Sequence, residues 1–289
     1  MGKTQADTTL EEAEKFWLAG ELPQAREAYR RARLLYLEAG DAIGEAAALT
    51  QLGDIETETG HFTNAMEAYV DARGLYARDG DQRDQAGVLV RLGLLAHRQG
   101  NSSEARACYE SAHELYDSAS DHSGLGHVAK RLGHLDQEAG RQDMALDRYR
   151  EALAQYRRAQ DGLGEANALK SLGGLYRKLG QPDRARADYE RAVQLYGESG
   201  DQLGQASASL GLGRVLKETG ETAEARAALE QASHLYHSTG SLRGEGEALL
   251  ELGRLTGSRH QLEHAAGLLG RSGATELQEE AMKEVAKLE

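Results

Sequence analysis

The chain has 289 residues, 40% of them hydrophobic, a single cysteine and a formal net charge of −13. One cysteine excludes an internal disulfide framework and suits a reducing compartment, and the acidic balance argues against nucleic acid as a partner. No apolar run is long enough to span a bilayer and the opening residues lack the apolar core of a signal peptide, so a soluble, cytoplasmic protein with no membrane partner is expected.

Residues 1–6 read as a disordered lead. Residues 7–40 read as an edge repeat whose first helix carries Leu10, Ala13, Phe16 and Trp17 but no Leu-Gly pair. From residue 41 the chain repeats every forty residues, giving full units at 41–80, 81–120, 121–160, 161–200 and 201–240. Gly20, Gly60, Gly100, Gly140, Gly180 and Gly220 keep this period, as do the Leu-Gly pairs from Leu52-Gly53 to Leu252-Gly253. Alanines recur at Ala25, Ala65, Ala105, Ala145, Ala185 and Ala225, and again seven residues after each. Several registers with one shared period mark a repeat architecture.

Each unit reads as two helices and a short turn. Asp41, Asp81, Asp121, Asp161, Asp201 and Ser241 stand where a side-chain oxygen accepts from the free N–H groups of a helix start. Gly40, Gly80, Gly200 and Gly240 precede four of them and suit the left-handed end of the previous helix. Ser120 and Gln160 take that place in the other two, which predicts looser or different caps. Pro23 and Pro182 open second helices, where a missing N–H costs little. The last unit, 241–272, shortens, with a turn at Thr256-Gly257-Ser258 and a second helix over 259–271. Residues 274–289 read as a polar-faced amphipathic helix that caps the stack, because an end repeat has no neighbour to cover its apolar face.

Helices of about sixteen residues are about 25 Å long and stack about 8–10 Å apart. The expectation is an all-α fold: a single solenoid of about seven helix–turn–helix repeats, wound as a right-handed superhelix with one concave wall. Eleven of the twelve tyrosines fall in two ladders on second helices: Tyr29, Tyr69, Tyr109, Tyr149 and Tyr189, then Tyr36, Tyr76, Tyr116, Tyr156, Tyr196 and Tyr236. Their helical spacing with the alanines predicts core packing between repeats rather than a ligand platform.

Leu172-Gly173, Gly180, Ala185, Tyr189 and Ala192 carry a sequence signature that resembles the tetratricopeptide repeat (TPR). The opening Gly40-Asp41, Gly44-Glu45-Ala46 and its counterpart Asp161, Gly164-Glu165-Ala166 resemble the forty-residue form found in the Pins/LGN polarity adaptors and in many bacterial TPR proteins. The resemblance implies a non-catalytic scaffold, without cofactor or metal, whose concave wall of first helices holds an extended or partly helical peptide. No Asn flanks the Leu-Gly pairs here, and Lys130 and Lys170 are followed four residues on by His134 and Gly174 rather than Asn.

Threading the concave positions of a TPR onto the units from 41 onward collects Arg91, Arg98, Lys130, Arg131, Lys170, Arg177, Lys178, Arg214, Lys217 and Arg254, with His97, His127 and His134. It also collects Asp54, Glu58, Glu138, Glu218, Glu247 and Glu251. The basic side chains concentrate in residues 81–200. A basic strip on an acidic body focuses potential and attracts an acidic segment, and Arg grips carboxylates with two hydrogen bonds. The expected partner is therefore a protein or peptide with an acidic segment. Two other readings stay open: a self-assembling structural module, and a regulatory subunit of a bacterial signalling protein. His260-Gln261-Leu262-Glu263-His264 matches a zinc-protease spacing, but it sits inside a repeat helix, and catalysis is not expected.

Overall fold

The computed structural model describes residues 2–79 and 82–288, which form fifteen α-helices and no strand. A first compact unit ends at Ala139 and a second begins at Gly140. The first holds α1 (Gly2–Leu18), α2 (Leu22–Ala39), α3 (Ala42–Glu58), α4 (Phe62–Asp79), α5 (Gln82–Arg98), α6 (Ser102–Ser118) and α7 (His122–Glu138). The second holds α8 (Gln142–Ala159), α9 (Gly162–Lys178), α10 (Pro182–Ser199), α11 (Gln202–Thr219), α12 (Thr222–Ser238), α13 (Leu242–Thr256), α14 (Arg259–Arg271) and α15 (Thr275–Ala286). Within each unit consecutive helices pack together, and the first helix of one repeat also touches the first helix of the next. In the first unit α1, α3, α5 and α7 thus form one wall; in the second, α9, α11, α13 and α15 do.

The repeat signature is a packing rule between glycine and tyrosine. A Cβ on Gly53 would stand 2.4 Å from the Tyr69 ring, and one on Gly93 would stand 2.5 Å from Tyr109. The Leu-Gly glycine therefore seats a tyrosine of the same repeat. The other glycine, three residues after the capping Asp, seats the second-ladder tyrosine of the repeat before: Gly44 takes Tyr36 and Gly204 takes Tyr196, each at 2.3 Å. Any side chain at these places would displace a ring that removes about 150–250 Å² from water. Ten of the eleven ladder tyrosines are buried, and Tyr116 alone is half-buried.

The caps hold with three departures. Asp41, Asp121, Asp161 and Asp201 each accept from the backbone N–H three residues on, at 2.7–3.0 Å. Ser241 begins α13 without such a bond, and Gly80 and Asp81 lie outside the described residues. Ser120 and Gln160 adopt the same left-handed conformation as the glycines, with φ of 52° and 55°, rather than looser ends. The reason is the hydrogen bonding: Asp121 N–H still reaches the Tyr116 carbonyl at 2.8 Å, and Asp161 N–H the Tyr156 carbonyl at 2.9 Å. Finally, α1 starts at Gly2, so residues 2–6 are helix instead of a disordered lead. Ala6 is fully buried in one cluster with Ala32, Tyr36 and Ala48, and the Tyr36 hydroxyl donates to Asp7 at 2.7 Å.

Candidate functional site

In the second unit the expected basic positions meet acids of the same wall. Arg177 on α9 pairs with Glu218 on α11 at 2.7 Å. Arg214 on α11 pairs with Glu251 and Glu247 on α13 at 3.0 and 3.3 Å, and Lys217 pairs with Glu251. Arg254 on α13 pairs with Glu280 and Glu284 on α15 at 2.6 and 3.2 Å. Each pair joins one first helix to the next, so charge that the sequence presents as available is spent inside the wall. Burial opposes the Glu251 charge, but Lys217 and Arg214 hold its carboxyl below the usual range. Lys170 is different: its ammonium lies 5.4 Å from the centre of the Tyr196 ring, and burial lowers its pKa, against the pull of Asp201. Lys178 is exposed.

The wall of the first unit is built otherwise. Arg91 donates through Nε to both oxygens of Asp54, at 2.9 and 3.0 Å, and Tyr69 donates to the same carboxylate at 2.7 Å. His97 pairs with Glu138 at 2.7 Å. Arg98 is exposed, while Lys130 and His134 are half-buried. Arg131 donates to the ring nitrogen of His127 at 3.3 Å and, among the described residues, makes no ion pair. A guanidinium that leans on a neutral imidazole keeps its charge uncompensated, because a carboxylate would neutralise it and this ring does not.

Two adjoining cavities open on this wall. The larger, of about 520 Å³, is lined by Asp54, Gly87, Val90, Arg91, Leu94, Tyr116, Asp121, Ser123, Gly124, His127 and Arg131. The smaller, of about 290 Å³, is lined by Trp17, Asp54, Thr57, Glu58, Tyr69, Arg91, Leu94 and Arg98. Asp54, Arg91 and Leu94 belong to both, so the Arg91–Asp54 pair is part of their shared wall. Cavities of a few hundred Å³ suit a small ligand or a few side chains. Both carboxylates of the larger cavity are engaged, Asp54 by Arg91 and Tyr69 and Asp121 by the Gly124 N–H. Among the described residues Arg131 is its cation without an acid partner, while Asp121, bonded to a neutral N–H, keeps its negative charge.

At the larger cavity the third repeat lacks hydrogen-bond acceptors that some other repeats supply. Where Asp7 receives the Tyr36 hydroxyl and Asn167 receives that of Tyr196 at 3.0 Å, the third repeat has Gly87. The Tyr116 hydroxyl accordingly has no side-chain partner among the described residues and faces the cavity. Where Asp54 receives the Tyr69 hydroxyl, the third repeat has Leu94, and the buried Tyr109 hydroxyl has no hydrogen bond among the described residues. Tyr116, Trp17 and Leu94 escaped the charge count because none is basic. The signal that finds them is the break in repeat register at Gly87 and Leu94.

Three other polar groups belong to packing. Burial, followed by Glu104, pushes the Cys108 thiol up against an opposing Arg73, which suits a structural thiol. Asp188 stands where other repeats carry Ala28, Ala68 and Ala228; burial raises its carboxyl to about 6, although Arg157 and Arg150 pull the other way. The His260 and His264 rings lie 6.4 Å apart, and among the described residues no three His, Cys, Asp or Glu stand together as metal ligands. No helix among the described residues is long and apolar enough to cross a membrane.

A family model described as Tetratricopeptide repeat matches residues 84–158 and 164–236, and another of the same description matches 210–268. A model described as Soluble NSF attachment protein, SNAP, matches residues 2–119. No curated protein sequence matches the chain. Among solved structures it is similar to BtubC from P. vanneervenii, with 21% identity over 81% of this chain and 92% of that one and a TM-score of 0.64. It is also similar to a Rap protein complexed with Competence and Sporulation Factor, with 14% identity, 99% and 98% coverage and a TM-score of 0.57. The apo quorum sensor NprR from B. thuringiensis is similar over 100% of this chain and 77% of that one, with 15% identity and a TM-score of 0.71. At these identities the likeness is one of fold.

Proposed function

The chain belongs to the tetratricopeptide repeat family, and on that premise we propose that it is a protein-interaction scaffold whose first-unit wall receives an acidic segment of a partner protein. One observation carries the reading. Arg131 holds an uncompensated charge at a cavity of about 520 Å³, beside a Tyr116 hydroxyl that lacks a side-chain partner. A carboxylate there would accept from both groups, and charge-assisted hydrogen bonds are the stronger kind. The similar Rap protein, complexed with Competence and Sporulation Factor, supports a ligand-binding use of this fold.

The role is one of binding, not catalysis. Arg91 and Arg98 flank the seat, and Lys130 and His134 follow it along α7. In the second unit, a ligand acid would have to displace Glu218, Glu247 or Glu251 to reach Arg177, Arg214 or Lys217.

The test uses a fluorescent ten-residue Gly/Ser peptide with a central Glu-Glu pair. It is expected to bind at low salt, to weaken steeply as salt rises, and to weaken about ten-fold or more with Arg131→Glu, the loss of a charge-assisted pair. A Lys-Lys peptide is expected not to bind. Equal affinity for the two peptides, or indifference to Arg131→Glu, sinks the reading.

A further inference from the structure

The acid seat does not account for the second cavity. Its lining places a half-buried Trp17 near the end of α1 and Leu94 on α5, with Tyr69 and the exposed Arg98. Trp17 is the only tryptophan of the chain. Leu94 is the one aliphatic side chain in a register that elsewhere reads Asp54, His134, Gly174, Arg214 and Arg254. It stands there although the buried Tyr109 hydroxyl goes without an acceptor as a result. A polar rung has been exchanged for a half-buried apolar side chain that packs against the core and lines both cavities.

Resting on the acidic-segment reading, we propose that the partner segment is bipartite: a carboxylate on Arg131 and Tyr116, and a bulky apolar side chain between Trp17 and Leu94. The two cavities together run along α5 from Gly87 to Arg98, about 16 Å of helix at 1.5 Å per residue. An extended peptide covers that length with about five residues. Residues two or four apart lie on one side of such a peptide, so both side chains can point into the wall together. The Arg91–Asp54 pair on the shared wall presents a donor and an acceptor, which is what a peptide backbone requires. Charge complementarity fixes the acid end. The apolar end is fixed by the aromatic and aliphatic lining, since removing a bulky ring from water is favourable.

The test needs no label on the protein, because all tryptophan emission comes from Trp17. Ten-residue Gly/Ser peptides carry a Glu-Glu pair alone, 4-nitrophenylalanine alone, or both, with the ring two or four residues from the acids on either side. The nitro ring quenches nearby tryptophan. The expected result is saturable quenching of Trp17 by at least one two-part peptide, bound about ten-fold or more tighter than the acid-only peptide. Leu94→Asn, which offers Tyr109 an acceptor, should lose the gain from the ring, read as the ratio of two-part to acid-only affinity within that variant, with its folding checked by a thermal melt. If the acid-only peptide binds but no ring position adds affinity or quenches Trp17, the bipartite inference is overturned and the acidic reading stands. If no acidic peptide binds, both fall. If the ring-bearing peptide binds equally to the native chain and to Leu94→Asn, the ring sits elsewhere and this inference fails alone.

Discussion

The two units use one repeat differently, although both pair first helix to first helix. In the second, the first-helix wall is closed by its own charges: Arg177 to Glu218, Arg214 and Lys217 to Glu251, Arg254 to Glu280 and Glu284. In the first, Gly87 and Leu94 stand where some other repeats carry hydrogen-bond acceptors, a cavity opens there, and Arg131 and Tyr116 are left with bonding capacity. The wall with fewer Lys and Arg is therefore the one that offers a partner more. Counting charges along a groove measures supply; only the pairing shows what is left over.

The comparison breaks most readily at Glu251. Glu251→Ala leaves Arg214 and Lys217 facing each other without an acid, in a partly buried place, and is expected to destabilise by about 2 kcal/mol. Arg131→Ala in the first unit should stay within about 0.5 kcal/mol, while weakening acidic-peptide binding, though less than Arg131→Glu does. Urea unfolding of both variants decides this, and equal losses would mean that the walls are not different.

The tyrosine ladder gives a finer contrast within the first unit. Tyr69→Phe removes a hydrogen bond to the Asp54 carboxylate and should cost about 1.5 kcal/mol. Tyr109→Phe removes a hydroxyl that has no partner and should be neutral or stabilising. Thermal melts at one pH compare the two.

Asp188 tests a buried charge of the second unit that is not zipped. Its carboxyl titrates at about 6 in the fold, above the usual 3.8, because burial disfavours the ion more than Arg157 and Arg150 favour it. The folded state therefore binds the proton more tightly, and the native chain gains stability relative to Asp188→Asn as pH falls from about 6 towards 3.8. Asp188→Asn should melt higher than the native chain at pH 7.5, with the advantage shrinking towards pH 4. Glu251 runs the other way: its carboxyl is held below the usual 4.5, so its contribution is present above that pH and is lost on acidification through the folded value.

The smallest effects belong to the two left-handed non-glycine caps, one in each unit. Ser120→Gly and Gln160→Gly relieve a strained φ but loosen the unfolded chain, leaving a net gain of about 0.5 kcal/mol each. Melting curves that show a loss instead would mean that the Ser120 or Gln160 side chain contributes to the cap.

Much of the fold was legible because a repeat states its rules several times over. The forty-residue period, the capping aspartates and the tyrosine ladders all follow from local patterns, and the Gly–Tyr seats explain why those residue types recur. Even the early start of α1 had its mark, since Ala6 stands forty residues before Ala46 and is buried in the same way. The open wall was less legible. Periodicity reveals where the repeats agree, and the candidate site lies where one of them disagrees, at Gly87 and Leu94.

By itself the sequence determined the helix pairs, their punctuation and which tyrosines are core, because those depend on neighbours a fixed distance away along the chain. Only the tertiary structure decided which cations are spent and which remain. Pairing joins side chains 26 to 41 residues apart, such as Arg254 with Glu280 and Arg177 with Glu218, and it turns on a few ångströms that no spacing encodes. The same holds for the cavity, since a missing side chain becomes a site only when the surrounding helices leave the space unfilled.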